Sequence, residues 1–189
     1  MAFKRSNSSP KPQTRTPVTF EMAVQLCPHQ GTAEAVAQAF GLIVPEYDAI
    51  RAEHASALKR MEETFSGALN DKATTMHFER IVGALVDSAV GAGRFYSDKV
   101  SEARAATARA ADGGDEEHGE PIGLESKAQR VRGFAADMAM QAYALLAAAH
   151  GALDAYKELT GEEWKPYEAP AETGVEKKAT AAQIGAFGD

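Results

Sequence analysis

Cys27 and His29 flank Pro28, the nearest the chain comes to a thiolate–imidazole pair. A nucleophilic cysteine needs a base held in place by a third group. No acid close by in sequence fills that role. Cys27 also fits as the last apolar residue of a short helix, and His29 as a polar turn residue, so both read as structural. His150 and Asp154 are four apart and can share one ion on a helical face, whereas His77 and Glu79 can do so only if the helix is distorted. His54 has only Glu53 beside it, and Glu53 points elsewhere on a helix. A carboxylate metal centre in a helical bundle needs a Glu-x-x-His pair on each of two helices and two further Glu. The chain has no Glu-x-x-His pair.

Nucleotide chemistry fares no better. Gly83, Gly91 and Gly93 fall inside a helical pattern, with no strand before them to aim a phosphate at backbone amides. No serine stands in a nucleophile elbow. No residue is therefore singled out as catalytic, cofactor-binding or metal-ligating, and a non-enzymatic protein without a cofactor is expected.

Composition narrows the class further. Roughly a fifth of the 189 residues are Ala, the strongest helix former, and aromatics are only 7%. Alanine lets helices approach closely but buries little area per contact, so stability must come from long contacts. The formal net charge of -7 disfavours a surface that binds nucleic acid or anionic membrane throughout. The single cysteine allows no internal disulfide, and a reducing compartment is the natural expectation. The first twenty residues lack a signal-peptide apolar run, and no later stretch reaches the ~18 apolar residues of a membrane span. A cytoplasmic protein, or one within an intracellularly assembled particle, is expected.

Four regions follow from the pattern. Residues 1–17 form a basic arm carrying Lys4, Arg5, Lys11 and Arg15 without an acid. Residues 18–70 hold short helices. Thr19 caps one that ends at Pro28, Thr32 caps another closed by Gly41, and Pro45 suits the first turn of a third. Residues 71–161 are read as a long helical hairpin. Its first helix runs from about Thr74 to Ala111, with Phe78, Leu85 and Ala92 in one column and Val82, Ala89, Tyr96, Ala103 and Ala110 in another. After the acidic break at 112–121, Leu124, Val131, Met138, Leu145, Ala152 and Leu159 recur every seventh position. Beside them run Ala128, Ala135, Ala142, Ala149 and Tyr156. Phe134, Met140, Tyr143 and Leu146 widen the stripe, which predicts three or more helices around the axis. Residues 162–189 read as an extended tail with aromatic anchors.

The expected fold is all-α: a long antiparallel helical hairpin or bundle with short N-terminal helices. The expected function is that of a structural or assembly subunit, a homo-oligomer or part of a larger protein assembly. Val131, Met138 and Leu145 would centre its interface, with Trp164 and Tyr167 as anchors because large aromatics contribute disproportionately at interfaces. The alternative begins from TAEAVAQAFGL at residues 32–42, which resembles the opening helix and turn of bacterial helix-turn-helix modules. The order of parts is similar to that of phage small DNA-packaging subunits, where such a module precedes a long oligomerisation hairpin. That resemblance implies DNA contact through the N-terminal region, by Lys4, Arg5, Lys11, Arg15 and Arg51. The start of the would-be reading helix departs from it, because Glu46, Asp48 and Glu53 suit neither phosphate nor guanine edges. A third reading is a ligand or metal carrier within the bundle.

Overall fold

The computed structural model describes residues 17–66, 71–112 and 121–166. Among these the protein is all-α, with five helices and no strand. They are α1 (Phe20–Leu26), α2 (Gln30–Phe40), α3 (Tyr47–Phe65), α4 (Asp71–Ala111) and α5 (Pro121–Thr160). Among the described residues no helix is long and apolar enough to cross a membrane.

The two long helices pack against each other and dominate the tertiary structure. With 41 and 40 residues, each is about 60 Å long. The two columns of α5 divide the work unequally. Ala128, Ala135, Ala142, Ala149 and Tyr156 are all buried, and Ala142 and Ala149 are completely so. Val131, Met138 and Leu145 are only half-buried. The small residues thus form the centre of the seam, because a methyl group lets a neighbouring helix come close. The larger residues lie along its flank. On α4, Phe78, Val82, Val86 and Ala89 face the same core.

α1 and α3 complete the proximal half of the hairpin, and α2 packs on α5 beside the distal half. Thr19 caps α1 as expected, its hydroxyl accepting from the Met22 amide at 3.4 Å. Gly41 and Gly161 end α2 and α5 with left-handed backbone, φ 64° and 73°, a conformation that glycine adopts without strain. Three starts differ from expectation. α2 begins at Gln30, so Thr32 lies inside it, and the first turn is supported by a 2.9 Å side-chain bond from Gln30 to Glu34. α3 begins at Tyr47 with Glu46 as its cap residue, which leaves Pro45 just outside. α4 starts at Asp71, which places Thr74 within the helix and buried.

Two glycines set how closely the layers meet. A Cβ on Gly93 would lie 2.8 Å from the Cβ of Leu26, so α1 ends directly against α4. A Cβ on Gly151 would overlap the carbonyl oxygen of Arg51, so the α3 backbone lies against that of α5. α3 runs parallel to α5: Tyr47 meets Tyr143 and His150, Arg51 meets Asp154, and Lys59 pairs with Glu158.

Candidate functional site

Two places concentrate functional groups, one at each end of the hairpin. The proximal one is polar. Tyr47 and Arg51 stand four apart on α3, and His150 and Asp154 stand four apart on α5, so each pair shares one helical face. The Tyr47 hydroxyl is 3.2 Å from Nδ1 of His150, and Nε of Arg51 donates to Oδ2 of Asp154 at 2.5 Å. Nε2 of His150 is 4.0 Å from the other Asp154 oxygen, and the Phe20 ring packs 5.3 Å from the imidazole.

Burial and the ion pair set the protonation states of these groups. Burial, aided by Arg51, holds His150 below the ordinary imidazole value of 6.5. Burial raises the Tyr47 phenol above 10.0. The hydrogen bond from Arg51 keeps Asp154 ionised, below 3.8. At neutral pH a neutral phenol therefore meets a neutral imidazole, and the one carboxylate is already matched by a guanidinium. The expected ion-sharing pair His150 and Asp154 does come together, with Arg51 occupying the carboxylate. Among the described residues no group of three His, Cys, Asp or Glu is placed to hold a metal.

Cys27 and His29 do not form a pair either. The Cys27 thiol is buried and donates to the Ala89 carbonyl at 3.3 Å, while His29 is exposed. Burial pushes that thiol up to about 11. His77 lies beside Phe65, ring centroids 5.4 Å apart, where α3 meets the start of α4.

The distal end is apolar. Tyr47 against Tyr143 is where α3 begins, so beyond it, among the described residues, α4 and α5 continue with only α2 packed against α5 on one side. A pair of helices cannot bury both of its faces. On one face Phe95 and Phe134 meet edge to face with centroids 6.0 Å apart, each 44% exposed. The Lys99 ammonium sits 5.3 Å and 5.5 Å from the two ring centres. Val131 and Met138 share the Phe134 face by helical spacing and are half-buried. On the other face a groove of about 510 Å³ runs between α4 and α5. Val36 and Phe40 of α2, Tyr96, Ala103 and Arg104 of α4, and Arg132 of α5 are among its lining residues.

No family model matches this chain, and no curated protein or solved structure matches it. Function must be read from its own geometry.

The anticipated interface residues separate in space. Val131 and Met138 lie on the uncovered face, whereas Leu145 packs against the hydrophobic core. Trp164 turns inward: its Nε1 donates to the Glu79 carbonyl at 3.3 Å and its ring covers Gly83, which fastens the end of α5 to α4. Arg51 is engaged by Asp154. Tyr167, Lys4, Arg5, Lys11 and Arg15 lie outside the described residues. Phe95, Arg104 and Arg132 had no separate signal in sequence. Their importance depends on the register of α4 against α5, which a heptad column leaves open.

Proposed function

We propose that this protein is a non-enzymatic assembly subunit that self-associates through the distal half of its hairpin. The observation that carries the reading is the pair Phe95 and Phe134, two large rings 44% exposed with no third helix over them among the described residues. Val131 and Met138 extend that surface along α5. Isolated exposed apolar residues are ordinary, but a contiguous strip of them on a long helical pair marks an association surface. A second copy supplies the missing helices, in the way two-helix hairpins complete bundles.

DNA contact is not part of this proposal. The helix-turn-helix reading needs α1, α2 and α3 to pack on one another. Among the described residues each packs instead on the hairpin, without substantial contact between them. The would-be reading helix, α3, lies lengthwise on α5.

Light scattering tests the proposal. The wild-type chain is expected at a multiple of its 20.1 kDa monomer mass at micromolar concentration. Phe134→Asp with Phe95→Asp should yield the monomer with its helical circular dichroism retained, since both positions are already solvent-accessible in the single chain. A wild-type monomer at all concentrations would overturn the reading.

A further inference from the structure

We propose that the groove between α4 and α5 receives an amphipathic helix from a protein partner, one with large apolar side chains along a stripe and carboxylates on both flanks. The inference rests on the reading of the distal half as a docking surface, but uses the face opposite Phe95 and Phe134. Three features define the occupant. The groove follows α4 from Tyr96 to Ala111, about 22 Å or four turns, which matches a helix of roughly fifteen residues. Five of its lining residues are alanines, Ala103, Ala108, Ala111, Ala135 and Ala136, beside Tyr96 and the α2 residues Val36 and Phe40. A third helix can settle deeply there, and the occupant must bring the bulk, as Leu, Met or Phe at i, i+3, i+7 spacing.

Charge supplies the third feature. Arg104 on α4 and Arg132 on α5 are both exposed on the groove walls, and neither has a carboxylate partner among the described residues. In a chain of net charge -7, two guanidiniums bordering one apolar groove, neither in an ion pair among the described residues, form a local positive frame. The antiparallel register set by Phe95 opposite Phe134 staggers them by about two turns, ~10 Å. An occupant with an acid on each flank, two turns apart, meets both. Guanidinium–carboxylate pairs at the edge of an apolar contact select the partner and its direction.

The test uses the full-length protein and three probes. The first is a fluorescein-labelled sixteen-residue amphipathic peptide with a Leu stripe and Glu flanks. The second is the same peptide with Lys flanks, and the third is oleate as a competitor. Fluorescence anisotropy should show saturable binding of the Glu peptide and at least about tenfold weaker binding of the Lys peptide. Arg104→Glu with Arg132→Glu should reverse that order. Both substitutions are at exposed positions, and circular dichroism checks that the helices remain. Equal affinity for the two peptides, no binding of either, or displacement of the Glu peptide by micromolar oleate would overturn the proposal. Molar mass is measured alongside: a wild-type monomer that binds the Glu peptide selectively sinks self-association and leaves the groove standing. An oligomer that ignores the peptide does the reverse.

Discussion

Gly151 meets the carbonyl oxygen of Arg51 so closely that a Cβ there would overlap it, so α3 and α5 touch backbone to backbone. The same turn of α3 sends the Arg51 guanidinium to Asp154, one turn along α5. A glycine in a helix interior costs up to ~1 kcal/mol against alanine, and here the close approach explains its presence.

Gly151→Ala should therefore destabilise the protein by about 2 kcal/mol or more, because the overlapped atom belongs to a helix backbone that cannot move alone. Gly133→Ala on the same helix is the control. A Cβ there meets nothing within 4 Å, so the protein should gain a few tenths to ~1 kcal/mol. Chemical denaturation of the two variants checks the contrast.

The polar clamp beside Gly151 gives a pH dependence. Burial lowers the His150 pKa below its ordinary 6.5, so folding favours the neutral ring. The stability this contributes is complete above 6.5 and is lost as pH falls through the depressed folded value. Asp154, also lowered, loses its contribution at more acid pH, below 3.8. Melting temperature should fall between pH 7 and 5 in the wild type and fall less in His150→Gln. Parallel curves for the two proteins would remove His150 from this role.

Cys27 works in the opposite sense. Its thiol is raised from 9.0 to about 11 by burial, so the folded state holds the proton that the unfolded chain releases first. Stability contributed by the protonated thiol is intact below 9 and declines as pH rises from 9 to about 11. Native protein at pH 8 should react with an aromatic disulfide reagent many times more slowly than denatured protein. Rapid native modification would contradict the buried hydrogen bond to Ala89.

Arg51 and Asp154 are both more than a third exposed, and a double-mutant cycle on Arg51→Ala and Asp154→Ala should give a coupling of only about 0.5–1 kcal/mol. The clamp positions α3 more than it stabilises it. Coupling above ~3 kcal/mol would mean that the pair is effectively desolvated.

Much of this fold was legible because its strongest signals are local. Two runs of apolar residues at seven-residue spacing, broken by Gly- and acid-rich sequence, correspond to α4 and α5. Gly41, Gly161 and Thr19 mark helix ends through backbone chemistry that needs no tertiary information. Thr32 and Pro45 misled because either residue can start a helix, whereas α2 begins at Gln30, whose side chain bonds Glu34, and α3 begins at Tyr47. The Ala column's place at the buried centre follows from the close approach of two backbones, and hydrophobicity alone favours the larger Val131 and Met138. The candidate site was the least legible part. The Phe95–Phe134 contact, Arg51 on Asp154, and the groove between Arg104 and Arg132 all join residues far apart in sequence. Each depends on the antiparallel register or on α3 lying parallel to α5.

Hydrogen–deuterium exchange followed over a dilution series addresses the distal hairpin directly. At high concentration, amides around Phe95–Val100 and Val131–Met138 should be protected as strongly as those around Val82–Ala89. On dilution into the monomer range their exchange should accelerate many-fold while the proximal core stays unchanged. Exchange in the distal segments that is independent of concentration would contradict burial of that surface by another copy.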